Sequence, residues 1–548
     1  MAKNSFLKSL TVKVPKRSAF DKSFRNLLTM PVGTLVPLMC DEVIPNTQVD
    51  LSVALNACLP PLASETFMNV DLKLAAAFIP FRLLYGGYTS WLTGEKVWNN
   101  ASTSYTDVEI PRLTITSAQA SYIGPGSLAD YLGFKMSAAD LTGIGSLSPV
   151  VSQDFNIFPF LAYHRFYDDW FRNSIIENPV FNKPMVSSSN SQNNASISFL
   201  PYVMMSPSST NLSRPLTSTF NDGVHLYDLR QANFGLDLFT GSTPNAQGGS
   251  AQSITIDTSG SSTQLSIASI RTANSIQQWL ERNLYSVKYQ DFLHSNFGAD
   301  LSDGVAQRSL YLGYGSVPVY TKGIYQQAPS ASSGGSVITN NPFNTGVGAE
   351  YGSVNCQGVV HLIHDFVAQE PGLVFVMIWL SPEVTYSNGV DHQFLRYNRN
   401  GSQVDMANAL LQNVGQQPIM AGELRGLDAF NNPAGVFGYT DRFADFMTKN
   451  HELHGLVRDG YSLQSFALQR TFGSTPGINS SFLKIPKTYL DQVAASPAGI
   501  SNYGAWVDSY LQYRVAMPLA QFSIPSLQDP SYEHGIDVTV KRGGSQIS

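Results

Sequence analysis

The chain has 548 residues, of which only 14% are charged, where soluble domains average about a quarter; Ser, Thr, Asn, Gln and Gly fill the difference. With 43% hydrophobic and 11% aromatic residues and a net charge of −6, a chain disordered throughout is excluded, because there is apolar surface to bury and little self-repulsion. The length admits a large core, and no apolar run reaches the ~18 residues that a membrane-crossing helix needs.

Charge is uneven from the first residue. Within residues 1–25, Lys3, Lys8, Lys13, Lys16, Arg17, Lys22 and Arg25 face one acid, Asp21, for a net +6, and the rest of the chain carries −12. Such an arm suits a polyanion, since each cation that meets a phosphate releases a counterion. These seven cations are candidate nucleic-acid contacts, with Phe6, Phe20 and Phe24 as candidate platforms on which bases stack. A solvated tail is the competing reading; Phe6, Leu7, Leu10, Val12, Val14 and Phe20 favour an arm that packs on something. The start lacks the apolar stretch and small-residue cleavage site of a signal peptide, which points to synthesis in a cytoplasm.

The strand signals come next. Gly33 to Cys40 is apolar and broken by Pro37. Val70, Leu72, Leu74, Ala76 and Phe78 share one face at period two. Arg82 to Leu92 predicts a short helix weakened by Gly86-Gly87. Val108 and Ile110 precede Pro111, and Leu113 and Ile115 follow it. Phe160 to Arg172 predicts a helix bounded by Pro159. Leu265 to Asn283 is the strongest helix signal, with Ile267, Ile270, Ala273, Ile276, Trp279 and Leu280 on one stripe. Val359 to Val367 reads as a strand, and Leu373 to Leu380 as a central strand covered on both faces. In the last strand Val507, Ser509, Leu511, Tyr513, Val515 and Met517 lie opposite Asp508, Gln512 and Arg514. Polar stretches at 186–215, 241–263 and 326–352 read as large insertions in a mainly β scaffold.

Catalytic and metal signatures are weak. Gly313-Tyr314-Gly315 lacks a third glycine for a nucleotide loop. In His451-Glu452-Leu453-His454 the histidines are three apart, one short of a zincin motif. His361 and His364 should point to opposite faces of a strand. Asp168-Asp169, beside His164, reads as the exposed side of an aromatic helix. Cys40, Cys58 and Cys356 are too few for a disulfide framework and read as buried free thiols. No cofactor, metal or catalytic residue is therefore expected, and the chain reads as no enzyme. A secreted or surface glycan-binding or glycosidase-like β protein is the alternative; it calls for a signal peptide and paired carboxylates in an aromatic cleft.

Specific strings say more. Val14-Pro15-Lys16-Arg17-Ser18-Ala19-Phe20-Asp21, Gly33 to Pro45, Ala77 to Leu84, Phe158 to Arg172, Arg271 to Arg282, Phe297-Gly298, Val436 to Phe446 and Arg514 to Pro518 occur in the order in which the major capsid proteins of microviruses carry similar blocks. The chain resembles that family, above all its gokushovirus-like branch, with Asn46 where the family usually has Gly. The resemblance implies an eight-stranded antiparallel jelly roll, two packed sheets with long inter-strand insertions carrying a few helices. It divides the chain into a basic interior arm (1–30), a capsid domain (31–530) with insertions at about 81–180, 181–265, 266–355 and 390–500, and a tail (531–548). It also implies a T=1 shell of sixty copies of the chain, holding a circular single-stranded DNA phage genome. Further implied partners are a small basic DNA-binding or minor virion protein and a host-cell receptor met by exposed loops. The short segment before Leu265 implies a small or absent protrusion at the threefold axes.

Overall fold

The computed structural model describes residues 9–15, 17–60, 62, 66–67, 69–99, 104–115, 119, 122–135, 153–181, 213–245, 267–283, 288–299, 301, 307–326, 350–395, 416–426, 435–494, 504–519 and 535–541. Most of the three polar stretches, at 186–212, 246–263 and 327–349, lies outside them.

The chain is mainly β, with antiparallel sheets and few helices. The principal strands are β1 (Ser9–Pro15), β2 (Ser18–Asp21), β3 (Phe24–Met30), β4 (Val36–Val43), β5 (Gln48–Cys58), β6 (Val70–Pro80), β7 (Leu310–Gln326), β8 (Glu350–Val367), β9 (Gly372–Pro382), β10 (Ala505–Met517) and β11 (Gly535–Lys541). The helices used below are α1 (Phe158–Phe166), α2 (Ile267–Asn283) and α3 (Tyr289–Phe297). Nine strands form one continuous antiparallel path, β2-β10-β5-β8-β7-β6-β9-β4, with β3 also paired to β10. β1 pairs with β11, so strands from the two ends of the sequence meet.

The path divides at β7 and β8. Tyr320 to Gln326 pairs with Asn355 to Glu350, after which the strands separate. Leu310 to Val319 of β7 joins β6, and Asn355 to Val367 of β8 joins β5. Below the fork, β3-β10-β5-β8 and β4-β9-β6-β7 contribute to a single apolar core. Backbones come unusually close there. A Cβ on Gly313 would lie 1.7 Å from the Leu362 carbonyl oxygen, one on Gly315 2.0 Å from Val360 Cγ1, and one on Gly358 2.7 Å from Val317 Cγ1. Gly313 and Gly315 are spaced for this approach, because only glycine leaves room for it.

The periodicities translate directly. β10 alternates between buried and exposed residues along nearly its whole length. All eleven residues of β9 are buried: one face meets the core, and the other is covered by α1 and the π-helical turn Tyr167–Phe171 that continues it. Tyr163 and Phe166 meet Phe375 with ring centroids 6.2 and 6.3 Å apart, and Phe171 meets Trp379 at 5.1 Å. The helix signal at Arg82 to Leu92 becomes two short helices, Phe81–Leu84 and Tyr88–Thr93, parted at Gly86-Gly87. Leu113 and Ile115 fall in a strand, Arg112–Ile115, whereas Val108 and Ile110 lie outside any strand. Asn46 takes a left-handed φ of 68° in the turn between β4 and β5. Glycine and asparagine tolerate that conformation best, so Asn46 suits the turn.

Candidate nucleic-acid interface and buried charge cluster

The candidate residues of the arm separate into three groups. Lys3, Phe6, Lys8 and Lys16 lie outside the described residues. Lys13 stands in β1, opposite Asp537 in register. The rest reach the edge of the main sheet. Arg17 donates to the side-chain oxygens of Asn46 and Gln48. Phe20 is half-buried against the core, and Phe24 remains exposed.

Lys22, Phe24 and Arg25 converge. β2 and β3 are held against β10 across the break at Lys22-Ser23, where Lys22 N donates to the Tyr513 carbonyl (2.8 Å) and Tyr513 N to Ser23 Oγ (3.1 Å). This places all three side chains on the wall of a cleft of about 870 Å3, with Tyr131, Lys135, Trp506 and Tyr513. Lys22 Nζ lies 2.5 Å from Asp41 Oδ2, which also accepts from Tyr513 Oη at 2.8 Å. Arg25 grips Asp508 with two bonds of 2.7 Å. That bonding raises the Arg25 pKa and lowers that of Asp508. Burial pushes the Cys40 thiol in the cleft wall up to about 12, with Asp41 and Glu42 adding to the effect, so this thiol stays protonated and unreactive. Cys356 is buried, whereas Cys40 and Cys58 are half-buried. The cleft thus joins aromatic faces to cations, but Lys22 and Arg25 already have carboxylate partners.

A second constellation corrects the sequence reading. Asp168 and Asp169 do not face solvent; with His164 and Arg165 they are among the buried polar residues. Arg165 Nε donates to Asp169 Oδ2 at 2.9 Å, and Arg172 Nε to Asp168 Oδ1 at 2.7 Å. Lys288 reaches both acids, at 3.3 and 2.7 Å, and Ser309 donates both its N–H and its hydroxyl to Asp169 at 2.9 Å. Desolvation alone would raise the Asp169 carboxyl, but Arg165, Lys288 and Ser309 outweigh it and hold it at about 2. Asp168 is lowered in the same way: burial opposes ionisation, and Lys288 and Arg172 overcome it. Burial, reinforced by Arg230, drives His164 well below its ordinary pKa. The neutral ring accepts from Arg230 Nε (2.8 Å) at Nδ1 and donates from Nε2 to the Leu226 carbonyl (3.1 Å). The signal for this cluster was present as two opposite-charge pairs at i,i+4, Arg165 with Asp169 and Asp168 with Arg172. That spacing is equally common on exposed helices.

The histidine motifs resolve differently. His361 and His364 do not point to opposite faces: register shifts on both sides of Ile363 leave both exposed, with Leu362 and Ile363 buried between them. His451 pairs with Glu383 at 2.9 Å, and His454 with Glu452 at 3.1 Å, on a two-residue strand and its exit instead of a zincin helix. Among the described residues no group of three or more His, Cys, Asp or Glu could hold a metal ion.

The sequence profile of the phage capsid protein (F protein) family matches residues 9–527. The capsid protein VP1 of Chlamydia phage 1 is 24% identical over 625 aligned positions, covering 96% of this chain and 98% of that protein. The capsid protein VP1 of Bdellovibrio phage phiMH2K is 23% identical over 554 positions, covering 93% and 95%. Both are microvirus proteins, the group whose blocks the sequence resembles. A β scaffold from arm to tail, ion pairs buried for structure and collinear similarity over nearly the whole length converge on a structural role: the chain belongs to the capsid protein (F protein) family of phages and is a major capsid protein, not an enzyme.

Proposed function

We propose that this capsid protein assembles as sixty copies into a T=1 icosahedral shell around a circular single-stranded DNA genome, and that its core is an eight-stranded jelly roll. The observation that carries the fold is the strand order. Numbered from β3 to β10 in chain order as strands one to eight, the two halves of the path run 1-8-3-6 and 2-7-4-5. Two Greek keys wound into a two-sheet jelly roll would interleave in this order, which supports the reading. Residues 81–180, 181–265, 266–355 and 390–500 are then insertions between its strands, with 1–30 as the arm and 531–548 as the tail.

The arm is read as facing the genome. Lys22 and Arg25 already pair with Asp41 and Asp508, so phosphate contact falls mainly on Lys3, Lys8, Lys13, Lys16 and Arg17. Phe24, which lines the cleft as Trp506 does, and Phe6 and Phe20 offer stacking faces. The arm also suits a small basic or minor virion protein as a neighbour, and exposed insertion loops suit a host receptor. The alignment to the Chlamydia phage protein has 625 positions against 548 residues here, so that relative carries residues without a counterpart in this chain. This supports a small or absent threefold protrusion. Synthesis in the host cytoplasm completes the reading.

The test is expression of the full chain and of a variant with Lys3, Lys8, Lys13, Lys16 and Arg17 replaced by Gln. Electron microscopy of the wild type should show particles of uniform diameter containing nuclease-protected DNA. In the variant the salt dependence of single-strand binding should flatten by about 0.7 in log–log slope for each phosphate that is no longer neutralised. An unchanged slope would remove the arm from the DNA interface, and absence of particles would remove the shell.

A further inference from the structure

The most amphipathic helix signal in the sequence belongs to a helix none of whose described side chains is buried. α2 and α3 meet at their C-terminal ends, where Asn283 and Asn296 exchange side-chain amide hydrogen bonds. No residue of α3 is buried, nor is any described side chain of α2. Ile276 is 40% exposed, Trp279 51%, Tyr289 59% and Phe297 72%. The ties of α3 to the body include polar ones at its start: Lys288 to Asp168 and Asp169, and Arg308 to Asp291 at 3.2 Å. Helices of 17 and 9 residues are marginal in water and take their stability from packing an apolar face.

We infer that the apolar face of α2 and α3 docks on a second copy of this chain. The inference rests on the shell assembly proposed above and names one surface that would carry it. Area is the first argument. A buried aromatic covers roughly 150–250 Å2, so these four side chains leave on the order of 400 Å2 of apolar surface in water. That is about half of the ~800 Å2 that each partner gives to a stable interface. Chemistry is the second: aromatic anchors of this type carry most of the energy at protein interfaces. The third is that exposed apolar side chains recur elsewhere on the same chain: Phe394, Phe446 and Met447 are each more than half exposed. A head-to-tail contact requires two unlike surfaces of one chain, and such contacts close into rings when the rotation permits.

The test uses the full chain carrying Trp279→Ala or Ile276→Ala. Sedimentation and electron microscopy report assembly, and thermal unfolding of the unassembled subunit reports the fold. The expected result is an unchanged unfolding midpoint with association weakened roughly tenfold or more, so that particles dissociate at higher subunit concentration than wild type. Wild-type assembly by both variants overturns the inference. So does a lowered unfolding midpoint with assembly intact, which would mean that the face is covered within its own chain. A wild-type chain that forms no particles overturns the shell reading itself, a result separate from that of an assembling variant.

Discussion

Replacing Asp169 by Asn should be among the most costly single changes in the chain that leave side-chain volume nearly constant. One carboxylate oxygen accepts from Arg165 Nε and from both donors of Ser309, and the other accepts from Lys288. An amide turns one of these oxygens into a donor, so whichever way it sits, it faces a donor. Removing one partner of a buried ion pair costs about 3–5 kcal/mol, because the remaining charge is stranded. The lowered pKa points the same way. Asp169 is held at about 2 against an ordinary 3.8; at 1.36 kcal/mol per unit this is on the order of 2 kcal/mol. Because the folded-state value is the lower one, this stabilisation is complete above about pH 4 and drains away as the pH falls towards 2. Urea unfolding of the unassembled subunit, followed by tryptophan fluorescence, measures it. Asp169→Asn should lose about 3 kcal/mol at pH 7, and the difference from wild type should shrink as the pH drops below 4. Simultaneous replacement of Arg165, Asp169 and Lys288 by apolar residues of similar size should cost less than the single change. A single variant within about 0.5 kcal/mol of wild type at neutral pH, the range of ordinary surface changes, would refute the reasoning.

Two further outcomes follow from the backbone. Gly313→Ala puts a methyl 1.7 Å from the Leu362 carbonyl oxygen, where backbone must yield; a loss of roughly 3 kcal/mol or more should appear as insoluble expression, whereas Gly94→Ala, with nothing within 4 Å but a left-handed φ of 71°, should cost only about 1 kcal/mol. Asn46→Gly should be close to neutral in thermal unfolding, and Asn46→Val, forced into the same left-handed turn, should lose about 1–2 kcal/mol.

Much of the scaffold was legible from residue order alone. The period-two alternation of β10, the unbroken apolar run of β9 and the interruption at Gly86-Gly87 each express a local rule, and each reappears in the structure. The family was legible for a related reason: blocks spread from Val14 to Pro518 record one fold's requirements in order, including a turn at residue 46 that only glycine and asparagine meet easily.

What the chain order could not decide are contacts between segments far apart in sequence. Asp169 is buried because Lys288 and Ser309, more than a hundred residues later, arrive to satisfy it. On the helix alone its i,i+4 pairing with Arg165 is indistinguishable from a solvated one. Gly313-x-Gly315 is a site of close backbone approach because β8 crosses it, a fact absent from the local string. Lys22 and Arg25 read as free cations until β4 and β10 bring Asp41 and Asp508 alongside. The sequence by itself determined periodicity, arm charge and family, since these depend on neighbours along the chain. Burial of charge, the neutralisation of part of the arm and the exposure of Ile276 and Trp279 on α2 were decided by tertiary structure, because desolvation and Coulomb energies depend on which distant groups share a site.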